Sequence, residues 1–164
     1  MTRARRTRAA RATAPRGLLG GPPTARVVGR DKNAWSREVT PPDDVHALDI
    51  EGLLDPAVTF FSARLDGELL GVGALKRVDE SHAELKSMHT VEAARCRGVG
   101  RAMVDHLLSV AADRSYRRVS LETGTLDAFA PARALYTKVG FSPCEPFGDY
   151  HLSPSSTCMT IEVV

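Results

Sequence analysis

Residues 84–114 read ELKSMHTVEAARCRGVGRAMVDHLLSVAADR, and the fold follows from this stretch. Residues 84–90 alternate between two sets of side chains, as expected of a strand with two faces. Residues 99–114 carry apolar side chains at steps of three and four, which predicts an amphipathic helix. The predicted apolar stripe is Val99, Met103, Leu107, Val110 and Ala111. One predicted strand face carries Glu84, Lys86, Met88 and Thr90, and the other carries Leu85, Ser87 and His89.

A glycine-bearing turn, RCRGVG, connects the predicted strand to the predicted helix. The first N–H groups of a helix have no intrahelical acceptor, and the helix dipole adds partial positive charge there. Gly98 and Gly100 lack a Cβ, so a bulky anion can approach the backbone closely. Arg95, Arg97 and Arg101 add full positive charge at the same end. The stretch predicts an anion-binding site, and the alternative is an ordinary arginine- and glycine-rich turn.

Arg95, Gly98 and Gly100 fill the fixed positions of the pattern (Arg/Gln)-x-x-Gly-x-(Gly/Ala), and ALYTKVGF follows at residues 134–141. The turn therefore resembles the acetyl-CoA pyrophosphate loop of the GNAT N-acetyltransferase superfamily. The stretches ELKSM, FAPARALY and CEPFGDY are similar to a bacterial subgroup of small acetyltransferases. The resemblance implies an α/β fold with a twisted, mostly antiparallel sheet, a splayed parallel strand pair and flanking helices.

The same resemblance implies acetyl-CoA as the co-substrate and no metal. Phe129 stands where the family often carries Asn, so one polar cofactor contact is expected to be missing or made differently. By resemblance, the cofactor-binding residues are Met88, Thr90, Arg95, Cys96, Arg97, Gly98, Val99, Gly100, Arg101 and Phe129.

The charge of the chain is unevenly distributed. The whole chain has a net charge of +2, but residues 1–30 contain eight Arg and no Asp or Glu, which leaves −6 for residues 31–164. The negative net charge of residues 31–164 disfavours nucleic-acid binding. The three cysteines form no disulfide framework and no metal-ligand spacing. With no apolar run of about 20 residues, no membrane contact is expected, and a cytoplasmic protein is the simplest interpretation.

The domain organisation is predicted from composition. Residues 1–34 are rich in Arg, Ala, Pro and Gly and predict a disordered or non-native extension, with an organellar presequence or a basic arm as alternatives. Residues 35–164 are predicted to form the acetyltransferase domain. A helix is predicted to begin near Pro41, within residues 41–54. The usual opening strand is not evident in this sequence.

The remaining elements follow from strand and turn patterns. Asp66-Gly67 is a hairpin signal, and the strands on either side of it are predicted at residues 58–65 and 68–76. The other elements are predicted as a strand at 117–123, a helix at 131–139 that ends at Gly140, a strand beginning at Phe141, and a closing strand at 157–163.

Acetyl transfer to an amine requires a base and a proton donor for the thiolate. Glu84 is the candidate base, because it lies eleven residues before Arg95, where histone-acetyltransferase-type members of the family carry their catalytic Glu. The alternative is a surface carboxylate paired with Lys86. Tyr136 is the candidate acid by the same resemblance, and the alternative is an aromatic residue that anchors a helix. Asp149 is a candidate for binding a cationic substrate, or else an ordinary turn carboxylate.

The sequence therefore predicts an acetyl-CoA-dependent N-acetyltransferase that acts by direct transfer on a small-molecule or amino-acid-like primary amine. A protein or peptide acceptor is the alternative within the enzyme class. An acyl-CoA-binding module with weak catalysis is the alternative outside it. The expected partner is the small-molecule amine, and a homodimer stays open.

Overall fold

The computed structural model describes residues 26–29, as backbone alone, and residues 55–163. The strands form one mixed sheet in the order β1-β2-β3-β4-β5-β7-β6. The strands are β1 (Arg26–Gly29), β2 (Val58–Leu65), β3 (Glu68–Arg77), β4 (His82–Thr90), β5 (Arg118–Gly124), β6 (Ser142–Cys144) and β7 (Ser156–Glu162). The helices are α1 (Val99–Asp113) and α2 (Ala130–Val139), with short 3-10 turns at Glu92–Ala94 and Asp127–Phe129.

The hairpin between β2 and β3 forms where the turn signal predicts it. Asp66 and Gly67 have φ angles of 51° and 88°, the pair of positive values that a tight type I′ turn requires. Because Gly67 carries no Cβ, the left-handed conformation costs little at that position. The two strands pair antiparallel along nearly their whole length, and β3 pairs in the same way with β4.

A β-bulge interrupts the pairing of β3 with β4. The register shifts between Val72 and Ala74, so that Gly73 on β3 opposes both Ser87 and Met88 on β4. Ser87 has a φ of 51°, a left-handed value on the bulged strand. A Cβ added to Gly73 would lie 2.7 Å from the sulfur of Met88 and about as close to two side chains of α1. Gly73 is therefore required by close packing, and Met88 points towards α1.

The bulge changes which side chains of β4 share a face. Leu85 pairs with Leu75, on the face of β3 that packs against α1, so Leu85 and Met88 lie on the same side of the sheet. Regular alternation would put them on opposite sides, and that prediction is wrong beyond Lys86 because the extra residue reverses the alternation. Glu84 and Lys86 share the opposite face, as predicted. The residues that change face are Met88, His89 and Thr90.

Strands β4 and β5 form the parallel pair at the centre of the sheet. Their ladder contains three pairs, from His82 with Arg118 to Glu84 with Ser120. Both strands continue past this ladder, to Thr90 and to Gly124, without pairing to each other. This separation confirms the predicted fold class, a mostly antiparallel mixed sheet with a splayed parallel pair.

One face of the sheet buries α1 in the hydrophobic core. The helix contributes the predicted apolar stripe, with Val104 buried in addition and Val110 only half-buried. The core continues through Leu85, Val119 and Leu121 on the central strands. The opposite face of those strands is polar in character.

The N-terminal part of the chain differs from the sequence-based expectation in one respect. Strand β1 pairs antiparallel with β2 and lies within the segment predicted as an extension. Four residues that pair through main-chain groups on a sheet edge carry too little pattern to be recognised in sequence. The predicted helix at residues 41–54 and the predicted boundary near residue 35 lie outside the described residues.

Candidate active site

The glycine turn presents a helix N-terminus with concentrated positive charge. Gly98 has a φ of 84° and precedes α1, and no acidic residue occupies the first helical turn. The N–H groups at the start of α1 therefore point outwards without intrahelical acceptors. Arg95, Arg97 and Arg101 are exposed around this end. Arg95 also donates from Nε to the carbonyl of Thr90 at 3.4 Å, which holds the turn against the end of β4.

Close packing fixes the same turn from the inside. A Cβ on Gly100 would lie 3.3 Å from a methyl group of Leu135 on α2 and 3.5 Å from Oγ1 of Thr90. Val99 is buried in the core, whereas Cys96 is exposed and has a φ of 58°. The residues of the predicted turn thus lie together, where α1, α2 and the end of β4 meet.

The turn lies beside the gap between the separated strands. The β4 residues that border this gap, from Lys86 to Thr90, are half-buried and include the bulge. Within residues 55–163, Oγ of Ser87 is the one buried side-chain polar atom without a hydrogen-bond partner. A buried polar atom left unpaired usually marks a position where a water or a ligand binds. The gap can therefore receive a polar, extended ligand that reaches the anion site at α1.

Tyr136 lies on α2 and is buried, with its ring edge-on to Phe141 at a centroid distance of 5.8 Å. Burial raises the pKa of Tyr136 to about 12. The phenol is therefore neutral and able to donate a proton across the physiological range. The same contacts suit an aromatic anchor between α2 and the sheet, so both interpretations of Tyr136 stay open.

Phe129 packs directly over the end of β5. A Cβ on Gly124 would lie 2.4 Å from a ring carbon of Phe129, so the ring occupies the space above this glycine. Arg133 fixes the same loop by donating from Nη1 to the carbonyls of Gly124 at 2.6 Å and Leu126 at 3.0 Å. Phe129 offers no hydrogen-bonding side-chain atom at this end of the gap, and its ring is 37% exposed.

Glu84 lies on the polar face of the sheet in a buried hydrogen-bonded cluster, with 4% of its surface exposed. Its Oε1 accepts from Nζ of Lys86 at 3.0 Å and from the hydroxyl of Tyr150 at 2.5 Å. Nζ of Lys86 also donates to the hydroxyl of Tyr150 at 2.7 Å. Burial, followed by the hydrogen bond to Glu84, raises the pKa of Tyr150, so its hydroxyl stays a donor. The predicted pairing of Glu84 with Lys86 occurs, but in a buried cluster instead of at the surface.

A second polar network continues along the same face. The ring of His82 bonds through Nε2 to Oγ of Ser120 at 2.8 Å and through Nδ1 to Arg118 at 3.1 Å. Ser120 bonds in turn to Oγ1 of Thr160 at 2.8 Å. Burial, and secondarily the charge of Arg118, lower the pKa of His82, which favours the neutral ring. Phe147 stacks at 5.2 Å from the His82 ring.

The loop between β6 and β7 therefore covers the polar face with two aromatic rings, Phe147 and Tyr150. Sequence reasoning selected Asp149 in this loop, and Asp149 is exposed in a turn. Its role in binding substrate stays a prediction. Tyr150 and His82 were missed, although Tyr150 lies within the CEPFGDY stretch that carries the resemblance. The signal that identifies Tyr150 is its contact with Glu84, which sequence does not show.

In the part of the chain that the structure describes, no cluster of three or more His, Cys, Asp or Glu side chains is arranged to hold a metal ion. Neither described helix combines the length and the apolar character needed to cross a membrane.

The central parallel strands separate beside an arginine- and glycine-rich helix N-terminus, as the resemblance to GNAT acetyltransferases implies. The Acetyltransferase (GNAT) family matches residues 28–141, and the chain belongs to this family.

Similar proteins give the same result. YsnE of Bacillus subtilis (strain 168), an uncharacterized N-acetyltransferase, is 46% identical over 122 residues, which are 74% of this chain and 81% of YsnE. IAA acetyltransferase of Azospirillum brasilense is 32% identical over 123 residues, which are 74% of this chain and 79% of that protein. The structure of IAA acetyltransferase from Bacillus cereus ATCC 14579 matches with a TM-score of 0.65 at 16% identity, covering 85% of this chain and 99% of that one. The last similarity concerns the fold alone.

Proposed function

We propose that the protein transfers acetyl from acetyl-CoA to a primary amine of a small-molecule or amino-acid-like acceptor, by direct transfer and without a metal. The observation that carries the proposal is the arrangement at the gap. Unpaired main chain of β4 and β5 borders it, and the positively charged N-terminus of α1 lies at its end. An acyl-CoA fits these features, because its pantetheine arm is an extended amide chain and its pyrophosphate is an anion.

The residues of the turn would hold the pyrophosphate of the co-substrate. Main-chain groups of Met88 and Thr90 would bind the extended arm, and the unpaired hydroxyl of Ser87 lies in the same part of β4. The bound thioester would supply an activated acetyl group. The protein would position the acceptor amine, exclude water and handle the protons.

Two residues are proposed to handle protons. A lysine-like amine is only about one part in a thousand neutral near pH 7.4, a deficit of roughly 4 kcal/mol that a base at the acceptor side helps to offset. Oε1 of Glu84 is occupied by two donors, but Oε2 has no hydrogen-bond partner among residues 55–163. We assign Oε2 to the acceptor amine. Tyr136 is assigned as the proton donor to the leaving thiolate, and Tyr136→Phe is expected to lower kcat about 10- to 100-fold.

The test is turnover of acetyl-CoA by the purified full chain with a panel of amines. Release of the CoA thiol and the mass of an added acetyl group are measured together. Turnover that depends on the amine and yields the acetylated amine is the expected result. Thiol release without acetylated product would contradict the proposal.

One observation favours a second candidate, an acyl-CoA-binding module with weak catalysis. Phe129 fills the space over Gly124 with an apolar ring where the family often has a polar side chain. Tight acetyl-CoA binding without turnover of any amine, protein N-termini and lysines included, would support this candidate. The proposal includes a cytoplasmic location, in which Cys96, Cys144 and Cys158 are free thiols. It also includes a small-molecule amine as the partner.

A further inference from the structure

The ion pair of Lys86 with Glu84 lies where the acceptor amine must arrive if the proposed function holds. The side chain of Glu84 is 5% exposed and that of Lys86 is 19% exposed, so Lys86 is the more exposed partner. Because desolvating an isolated carboxylate is costly, Glu84 needs a cation beside it. That cation also changes which ligands the site can accept.

The hydrogen-bonding capacity of Lys86 is not exhausted by the cluster. An ammonium group has three N–H donors, and two of them are directed at Oε1 of Glu84 and the hydroxyl of Tyr150. Within residues 55–163, the third donor of Lys86 has no acceptor. Beside it, Oε2 of Glu84 accepts from no group in the same residues. A free donor with a positive charge and a free acceptor with a negative charge therefore lie side by side.

Two neighbouring side chains on this face, Lys76 and Glu122, carry opposite charges that balance each other. Lys76 on β3 lies directly opposite Glu84 and shares its face. Glu122 on β5 lies two residues beyond Ser120, on the same face as Glu84, and its charge acts on Tyr150. A simple cationic amine would gain little attraction from a balanced set and would be repelled by the nearer ammonium group. A ligand that carries both charges close together would match both members of the pair.

We propose that Lys86 determines the acceptor class by binding a carboxylate adjacent to the reacting amine, so that the preferred acceptors are free α-amino acids. Nζ of Lys86 donates to the acceptor carboxylate, and Oε2 of Glu84 faces the acceptor amine. Tyr150 positions both groups through its hydroxyl, which bonds to each of them. This inference rests on the proposed function and names the substrate class of the same site.

The experiment compares the twenty free amino acids with their C-terminal amides as acceptors for the full chain. The amides keep the amine and the side chain but lack the negative charge. We expect kcat/KM for the best free amino acid to exceed that for its amide by about 10- to 100-fold. Equal values, or faster turnover of simple primary amines, would overturn the inference while leaving the proposed function intact. Absence of acetyl transfer to every amine would overturn the proposed function and this inference together.

Lys86→Met separates a role in specificity from a structural role. Methionine has a similar length and no charge, so kcat/KM should fall for both substrates because Glu84 loses its cation, and it should fall about 10- to 100-fold further for the free amino acid than for its amide. An equal fall for both substrates would mean that Lys86 only holds Glu84 in place, and would overturn the inference. Lys138→Met, on the exposed last turn of α2, is the matched control and should leave both values unchanged. If Lys86→Met does not fold, the comparison of acids with amides on the unchanged protein still decides the question.

Discussion

The glycine turn and the Glu84 cluster are the two halves of the candidate site, and they are specified in different ways. The turn presents main-chain N–H groups and exposed arginines within residues 95–101, so a short contiguous stretch is enough to define it. The cluster joins Glu84 to Tyr150, which lies 66 residues later in the chain. A site built from main-chain groups can therefore be predicted from local sequence. A side-chain cluster cannot, because it depends on strand register and on the path of a distant loop.

The largest effect is expected at the cluster. Glu84→Gln keeps an oxygen that accepts from Lys86 and Tyr150, so the fold should be retained, while the base is lost. We expect kcat to fall about 100- to 10,000-fold, with loss of the acidic limb of the pH–rate profile. Glu68→Gln, on the exposed start of β3, is the control. An unchanged kcat and pH profile would remove Glu84 from the chemistry and leave the turn as the functional half alone.

Tyr136 is buried in the core on α2, and its burial can be measured at alkaline pH. The folded-state pKa of about 12 lies above the ordinary value of 10, so the unfolded chain releases this proton first as the pH rises. The free energy of unfolding should therefore fall between pH 10 and 12, by about 3 kcal/mol for a shift of this size. In denaturant titrations, the Tyr136→Phe variant should not show this decrease in the free energy of unfolding. The same slope in both proteins would contradict the buried placement of the phenol.

The polar network around His82 should limit stability in acid. Burial lowers the pKa of His82 in the folded state, so the unfolded chain takes up the proton first as the pH falls through about 6.5. The free energy of unfolding should decrease from pH 7 to pH 5, and less steeply in His82→Gln. Burial lowers the pKa of His106 as well. The His82→Gln variant should therefore keep part of the decrease in the free energy of unfolding. At pH 7 the variant should lose about 1–3 kcal/mol, because its partners Ser120 and Arg118 are left imperfectly paired.

The smallest effect is expected at the turn. Arg101 forms an exposed ion pair with Asp105 through Nε at 2.9 Å. Asp105→Asn should cost about 0.5 kcal/mol of stability or less. Because Arg101 is then free, acetyl-CoA should bind about twofold more tightly at low salt, with the difference lost at high salt. Unchanged or weaker binding in titration calorimetry would contradict a contribution of Arg101 to the anion site.

Much of the fold could be predicted because its signals are local. The hairpin at Asp66-Gly67 depends on two residues that accept positive φ, and β2 begins and ends where the sequence predicts. Helix α1 follows from its apolar spacing, and the end of α2 from Gly140, which has a φ of 119°. The bulge could not be predicted, because it depends on Gly73 of the neighbouring strand as well as on β4 itself.

The candidate site also contains residues with a local sequence signal and residues without one. The residues of the turn could be selected together, since the strand, the turn and the helix are consecutive in the chain. Glu84 was selected by its distance from Arg95, but Tyr150, which bonds to it in the structure, was not. Asp149 was chosen instead, because a charged residue in a loop is visible in sequence and a tyrosine contact is not.

The most direct test of the central claim is calorimetric titration of acetyl-CoA into the full chain and two glycine variants. Gly98 and Gly67 have φ angles of 84° and 88°, and a Cβ at Gly67 would meet nothing within 4 Å. Glutamate therefore costs about 1–2 kcal/mol of backbone strain at either position, but only Gly98→Glu adds a negative charge at the start of α1. We predict saturable binding to the unchanged protein and to Gly67→Glu, and none to Gly98→Glu. No binding by the folded, unchanged protein, or equal binding by Gly98→Glu, would contradict the assignment of the turn as the acetyl-CoA site.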